Sequence, residues 1–215
     1  MSRRWLSERR RDPYHRKAKK LGYRSRAAFK LIQLDDRFGF FEGAKHVLDL
    51  GAAPGGWLQV ASRVVGEDGL VVGVDLEEIS PLSLGNVRTL VGDATEEETL
   101  ERIRAAFPGG VDLLLSDMSP HISGVWEVDH LRQIHLARSA LRVAEAVLKP
   151  GGWAVVKAFQ GSEFEAFLKD ARRMFEYVKI AKPLASRKGS AEVYIVARGL
   201  KRRSSPRSPG IIGRA

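Results

Sequence analysis

The sequence has no cysteine among its 215 residues. This absence excludes disulfide bonds, thiolate metal ligands and a cysteine nucleophile. No apolar run approaches the roughly 18 residues that a membrane span needs, and the first five residues lack the apolar core of a secretory signal. The five histidines show no paired spacing of metal ligands. We therefore expect a cytoplasmic protein with no membrane partner and no bound metal.

Amides are scarce as well, with one asparagine and four glutamines, whereas 29% of the residues are charged. This composition is typical of thermophilic proteins. The net charge of +10 is concentrated at the ends, because residues 1–45 carry 14 basic against 5 acidic side chains and residues 182–215 carry 9 against 1. Basic ends around an acidic middle predict a polyanionic partner such as a nucleic acid. Solvated tails without a partner are the alternative.

Composition also divides the chain into three parts. Residues 1–20 are nearly continuous charge, and we expect a flexible basic arm. Residues 21–199 have the composition of one globular domain. Residues 200–215 are rich in Ser, Pro and Arg, and we expect a disordered basic tail.

Strand and helix patterns alternate through the domain, which predicts an α/β fold with a doubly wound, mostly parallel seven-stranded sheet. The predicted strands are residues 47–50, 70–75, 87–91, 111–116, 153–159, 177–181 and 192–197. The predicted helices span 25–39 with Ser25 as N-cap, 96–107 and 127–148, and others begin after Gly56 and at the capping-box pattern of residues 162–165. Only a loop joins the last two strands, so we expect an antiparallel hairpin at one edge.

A glycine-rich turn, Asp-Leu-Gly-Ala-Ala-Pro-Gly-Gly-Trp at residues 49–57, follows the first strand. Glycine lets the backbone approach a ligand closely, and the free N–H groups of the following helix would face that ligand. A dinucleotide fingerprint would need glycine at Ala53, and a P-loop would end in Gly-Lys-Ser/Thr. The turn matches neither pattern, and a plain turn in an α/β fold is the alternative.

Three strands are followed by an aspartate at the edge where ligands of such sheets bind. Asp75 can accept both ribose hydroxyls of an adenosine-type ligand, and Asp93 with Ala94 is placed to meet the adenine. The candidate ligand-binding residues are Gly51, Pro54, Gly55, Trp57, Asp75, Asp93, Ala94 and Asp117.

Lys157 is the second unusual feature, because it interrupts the apolar strand at residues 154–159. A lysine at such a position indicates function. Taken alone, Lys30 could be a solvated helix lysine, Asp117 and Glu192 ordinary strand-end acids, and Trp57 a core residue.

Five segments in order resemble the FtsJ/RrmJ family of ribosomal RNA 2′-O-ribose methyltransferases, over about residues 12–199. They are RSRAAFKL at 24–31, DLGAAPGGW at 49–57, SDMSP at 116–120, VVKAFQG at 155–161 and SAEVYIV at 190–196. Ser119 and His121 depart from the family pattern in the loop after Asp117.

The resemblance implies S-adenosylmethionine as methyl donor and a catalytic tetrad of Lys30, Asp117, Lys157 and Glu192. It also implies a monomer that acts on large-subunit ribosomal RNA, within the ribosomal subunit and at a uridine of the peptidyl-transferase region. In that chemistry Lys157 is the base, since burial and a second cation both favour a neutral amine. Lys30 would hold the ribose or its phosphate, and the two acids would orient the lysines while opposing the loss of a proton.

Three alternatives differ from this hypothesis in substrate or in class. The same chemistry could act on a transfer RNA anticodon loop, or the chain could be a non-catalytic RNA-binding factor of ribosome assembly. The intact tetrad disfavours the second of these. A dinucleotide oxidoreductase is disfavoured because the glycine fingerprint fails.

Overall fold

The computed structural model describes residues 12–201, and a seven-stranded sheet of order β3-β2-β1-β4-β5-β7-β6 lies at its centre. The strands are β1 (His46–Leu50), β2 (Leu70–Asp75), β3 (Val87–Val91), β4 (Val111–Ser116), β5 (Leu148–Phe159), β6 (Phe175–Ala181) and β7 (Glu192–Leu200). The first five strands pair in parallel, and β7 runs antiparallel between β5 and β6. The doubly wound sheet and its antiparallel edge pair are therefore confirmed.

Helices cover both faces of this sheet. They are α1 (Pro13–Lys20), α2 (Ala28–Phe38), α3 (Gly56–Val65), α4 (Glu97–Ala106), α5 (Trp126–Val147) and α6 (Phe164–Met174). Alternate residues of the central strands enter the two cores, so that Leu48 packs towards α5 whereas Val47 packs towards α2 and α3. Among the described helices, none has the length and apolarity needed to cross a bilayer.

Helix α1 corrects the expectation of a flexible arm over residues 1–20. The carboxylate of Asp12 accepts hydrogen bonds from the N–H groups of Tyr14 and His15, which caps the helix. Ala18 is buried and packs with Phe29, so one face of this basic helix docks on the domain. Residues 1–11 of the expected arm, and residues 202–215 of the expected tail, lie outside the described residues.

Two predicted N-caps are wrong. Ser25 lies in a turn in which its carbonyl accepts the N–H of Ala28, and α2 begins three residues later than predicted. The capping box at residues 162–165 does not form, because a turn bonds the N–H of Phe164 to the carbonyl of Gly161. The side chain of the N-cap residue Glu163 makes no capping bond, and its N–H donates to Nε2 of His130. In both cases a local turn forms where a serine cap was expected.

Strands β5 and β6 also begin earlier than predicted, at Leu148 and Phe175 instead of Trp153 and Tyr177. Leu148 pairs with Val111 before a register shift in the ladder between β4 and β5. The Pro-Gly-Gly sequence at residues 150–152 falls in this irregular stretch, which is why the pattern predicted a turn there.

Candidate active site

The turn after β1 is fixed by glycines that contact other parts of the chain. Gly51 has a φ of +75°, and a Cβ at this position would lie 2.8 Å from the Cα and N atoms of Met118. Only glycine fits a left-handed position that is pressed against another backbone. At Gly56 an added Cβ would meet the side chain of Ser25, which would have to move. Packing against Met118, which the sequence analysis did not foresee, thus requires glycine at Gly51.

Pro54 lies on the open side of this turn, whereas Gly55 is buried against Leu82 and Arg24. Gly55, with a φ of +104°, is the N-cap of α3, whose first N–H groups have no partner within the helix. Pro54 is exposed, and its carbonyl accepts a hydrogen bond of 3.1 Å from the Arg24 guanidinium. Arg24 also donates to the carbonyls of Ser80 and Pro81, so it ties the turn to the loop after β2.

Asp75 ends β2 beside the turn. Its Oδ2 accepts the N–H of Ala53 at 2.9 Å, and its Oδ1 accepts the N–H of Glu77 at 3.0 Å. Each carboxylate oxygen has two lone pairs, so each keeps one for a further donor. On the neighbouring strand end, Asp93 accepts the N–H of Thr95, and Ala94 packs at the margin of the core. Contacts of these three residues with an adenosine-type ligand stay a prediction.

Asp49 is a residue that the sequence analysis did not assign to the site. It is fully buried in β1, and neither of its carboxylate oxygens has a hydrogen-bond partner among the described residues. Burial raises the pKa of Asp49 well above its ordinary value, and repulsion from Asp117 and Asp75 adds to this effect. An acid inside an apolar strand was the available signal, as it was for Lys157.

Lys157 lies where β5 approaches the loop after β4, and only 4% of its side chain is exposed. Its Nζ donates to the backbone carbonyl of Asp117 at 2.6 Å and lies 3.1 Å from the Asp117 carboxylate. A third bond goes to the hydroxyl of Ser119. An ammonium group has three N–H donors, so these three acceptors satisfy a protonated Lys157 completely.

Lys30 reaches the same place from α2. Its Nζ lies 2.7 and 2.8 Å from the two carboxylate oxygens of Glu192, and 4.0 Å from the carboxylate of Asp117. Ser186 donates a further hydrogen bond to Glu192. The fold therefore brings together all four residues of the predicted tetrad.

Asp117 and Tyr194 connect the two lysines. The Tyr194 hydroxyl donates to the Asp117 carboxylate at 2.6 Å and accepts from Lys30 at 3.2 Å. Burial alone would raise the pKa of Asp117, but the charges of Lys157 and Lys30 and the Tyr194 hydrogen bond hold it below its ordinary value. Burial raises the pKa of Tyr194, together with the charges of Asp117 and Glu192. Asp117 thus stays ionised between the lysines.

The sequence analysis did not assign a role to Tyr194 or Ser186. The alternation of β7 was the signal for Tyr194, because it shares a strand face with Glu192. Trp57, predicted to bind the donor, is buried beneath the tetrad, where its ring centroid lies 5.9 Å from that of Tyr194. Its indole N–H donates to the carbonyl of Ala27. A direct contact of Trp57 with a ligand stays a prediction.

An open cavity of about 280 Å³ adjoins the tetrad on the side of Lys30 and Glu192. Arg26 and Arg187 line it as well, and Arg187 is exposed. The guanidinium of Arg26 is paired with the carboxylate of Asp12 and the carbonyl of Ala185, whereas the exposed Arg187 can attract a phosphate group beside the tetrad. Within residues 12–201, no cluster of His, Asp and Glu has an arrangement that could hold a metal ion.

Comparisons with known proteins agree with this geometry. The model of the FtsJ-like methyltransferase family matches residues 23–200. The ribosomal RNA large subunit methyltransferase E of Methanothrix thermoacetophila is 51% identical over 189 residues, which cover 88% of this chain and 72% of that protein. The protein of the same name from Methanocaldococcus jannaschii is 48% identical over 198 residues, covering 91% and 81%. The crystal structure of a ribosomal RNA methyltransferase from Plasmodium falciparum matches with a TM-score of 0.73 at 28% identity, over 83% of this chain and 98% of that one.

Proposed function

The chain belongs to the FtsJ-like methyltransferase family, and we propose that it transfers a methyl group from S-adenosylmethionine to the ribose 2′-hydroxyl of a uridine in large-subunit ribosomal RNA. One observation carries this proposal. Lys157 and Lys30 lie 3.1 and 4.0 Å from the same Asp117 carboxylate. A hydroxyl that must lose its proton needs such a base and cation.

The turn after β1 and the ends of β2 and β3 fit the proposed donor. When bound, S-adenosylmethionine supplies a methyl carbon on a sulfonium sulfur, which leaves with the electrons of the bond when an oxygen attacks. Asp75 would accept the ribose hydroxyls of the donor, and Asp93 with Ala94 would hold its adenine.

Lys157 is the proposed base. A ribose hydroxyl is a weak nucleophile, so its proton must leave as the bond to carbon forms. In its neutral form Lys157 has one lone pair that can take this proton. Lys157 is buried, and the carbonyl and carboxylate of Asp117 hold its amine in place.

Lys30 contacts both carboxylate oxygens of Glu192 and is proposed to bind the acceptor ribose or its phosphate. The cavity beside it, with Arg26 and Arg187, is where we place the acceptor nucleotide. Its phosphates would face these cations while the 2′-hydroxyl faces Lys157. Asp117 then has one main role, which is to fix the distance between base and cation.

The proposed target follows from relatives and charge. The relatives named above are ribosomal RNA large subunit methyltransferases, and the basic ends of this chain suit an RNA partner. We place the protein in the cytoplasm, where ribosomal subunits are assembled, and propose that it acts as a monomer.

Mapping the methylated atom tests this function. The purified chain is incubated with methyl-labelled S-adenosylmethionine, large ribosomal subunits and transfer RNA from a strain that lacks the gene. We expect label in one alkali-resistant dinucleotide of large-subunit ribosomal RNA, because a 2′-O-methyl group blocks hydrolysis at the adjacent phosphate. Label on a base would contradict the ribose target, and label only in transfer RNA would move the substrate to the anticodon loop. Donor binding without any transfer would indicate a non-catalytic assembly factor.

A further inference from the structure

Lys157 has three hydrogen-bond partners, and they differ in one chemical property. The carbonyl and the carboxylate of Asp117 can only accept hydrogen bonds. The hydroxyl of Ser119 can accept one or donate one. Ser119 is therefore the partner that can adapt when the lysine changes its protonation state.

The number of N–H groups on Lys157 in each protonation state determines which of its three partners must change. As an ammonium, Lys157 donates to all three acceptors. As a neutral amine it has two N–H donors and one lone pair, so one of the three partners must stop accepting. Neither Asp117 oxygen can donate in return, and both therefore retain the two N–H groups. The lone pair then points to Ser119, whose hydroxyl can rotate and donate to it.

The exposure of Lys157 and Ser119 indicates from which side a ribose hydroxyl can approach the amine. The side chain of Lys157 is only 4% exposed, whereas Ser119 is exposed on the loop after β4. A ribose hydroxyl that reaches the lone pair must come from the Ser119 side, because the Asp117 oxygens occupy the other two directions.

We infer that Ser119 is a positioning residue for Lys157, which reverses its hydrogen bond and so holds the neutral amine with its lone pair towards the incoming ribose. The incoming ribose hydroxyl first displaces the Ser119 hydroxyl from the lone pair. In the transfer step the ribose O–H bond breaks as the third N–H bond forms on Lys157, and the electron pair of that O–H bond forms the new bond to the methyl carbon. Once the methylated ribose has left, the new N–H group donates to Ser119 again. This inference rests on the proposed function, since it assumes that Lys157 is the base.

Three substitutions separate reversal from simple anchoring. Ser119→Thr keeps a hydroxyl, Ser119→Ala removes it, and Ser119→Asp offers an oxygen that only accepts at neutral pH. We expect single-turnover rates near wild type for Thr, about 3- to 10-fold lower for Ala through the loss of one hydrogen bond, and at least about 100-fold lower for Asp, because a carboxylate stabilises the ammonium. Donor affinity should be unchanged in all three variants.

His121→Asp is the matched control for charge. It places a carboxylate on the same exposed loop, two residues away, and no contact links the His121 side chain to Lys157 among the described residues. Its rate should stay within about threefold of wild type, since exposed charges interact weakly.

The measurement is transfer to saturating RNA at saturating donor, with RNA and donor dissociation constants determined separately. The order Thr, Ala, Asp from fastest to slowest supports the reversal. An Asp variant as fast as Ala or faster means that Ser119 only anchors Lys157, and an Ala variant at the wild-type rate removes Ser119 from the mechanism; either result overturns the inference. If the wild-type chain itself transfers no methyl group, the proposed function fails before this inference is tested.

Discussion

Two groups of strand ends lie at the same edge of the sheet and are built in different ways. The proposed donor side, formed by the ends of β1, β2 and β3, depends on backbone shape: Gly51 is pressed against Met118, and Asp75 holds the N–H of Ala53. The proposed acceptor side, formed by α2 and the ends of β4, β5 and β7, depends on charged side chains. Its ion pairs join Lys30 to Glu192, which is 162 positions away, and Lys157 to Asp117.

This difference separates binding from chemistry. A shaped backbone with carboxylates that keep free lone pairs can bind and orient a ligand. A lysine held on a carboxylate can in addition exchange a proton with that ligand. Changes on the donor side should therefore alter affinity, and changes on the acceptor side should alter rate at saturation.

The largest effect is expected on the acceptor side. Lys157→Ala should lower single-turnover transfer by about 10²- to 10⁴-fold while donor and RNA affinities are retained. Lys157→Arg should fail almost as badly, because a guanidinium does not release a proton near neutral pH. Lys149→Ala is the matched control, since it removes another β5 lysine that pairs with a carboxylate, 2.8 Å from Asp112 at the opposite end of the sheet. An Arg variant with a near-normal rate would mean that Lys157 only balances charge.

The next largest effect is expected for the backbone conformation of the turn after β1, on the donor side. Gly51→Ala combines a strained φ with a clash against the Met118 backbone, and we expect a loss of roughly 2–4 kcal/mol of unfolding free energy. Gly43→Ala is the control, because Gly43 has a φ of +74° and nothing within 4 Å of the added Cβ. That variant should lose only about 1 kcal/mol. Equal losses of unfolding free energy in the two variants, measured by urea unfolding, would show that the loop around Met118 moves away from the added Cβ at no energetic cost.

Asp75→Ala tests binding on the donor side. Loss of charge-assisted hydrogen bonds to the ribose of the donor should weaken its binding by about 1.5–3 kcal/mol, as measured by calorimetry. Asp112 is a matched carboxylate at the other end of the sheet, where it accepts the N–H groups of Lys45 and His46. Asp112→Ala should leave donor affinity unchanged. If Asp75→Ala also leaves it unchanged, Asp75 does not contact the donor.

The buried Asp49 should make the folding stability of the ligand-free protein depend on pH. Since burial raises the pKa of Asp49 above its ordinary 3.8, ionisation costs more in the folded state than in the unfolded one. Stability should therefore fall as the pH rises from 4 through the raised pKa. Asp49→Asn should abolish this decrease, which thermal unfolding across a pH series can detect. A variant whose stability keeps the wild-type slope would show that Asp49 does not cause it.

The smallest effect is expected outside both sides, in residues 1–11, which carry five arginines and one glutamate. Their deletion should reduce the slope of log RNA affinity against log salt by about 0.7 for each RNA phosphate that these arginines neutralise. Donor affinity should not change. An identical slope with and without these residues would mean that they only carry solvated charge.

The two sides also differ in how much of them the sequence predicts. The donor side follows from one continuous segment, residues 49–57, and from aspartates directly after strands. The acceptor side needs the fold, because Lys30, Asp117, Lys157 and Glu192 are distant in the chain; the family resemblance supplied them together. Tyr194 was missed since a tyrosine in an apolar strand resembles any core residue.

Competing local interactions explain the other differences between the predicted and the observed secondary structure. Helix α1 was missed because its charged sequence hides a single buried face around Ala18. The caps expected at Ser25 and Ser162 failed because turns satisfied the same backbone groups. Most strands of the parallel core were predicted closely, since their apolar runs have no competing local structure.

The separation of binding from chemistry is tested most directly by comparing Asp75→Ala and Lys157→Ala at increasing donor concentration. Single-turnover transfer to saturating RNA is measured until the rate no longer rises. Asp75→Ala should recover to within about threefold of wild type once the donor saturates, as expected when only binding is lost. Lys157→Ala should remain at least about 100-fold slower at every concentration. Recovery of the Lys157 variant, or a persistent defect of the Asp75 variant at saturation, would contradict the division between the two sides.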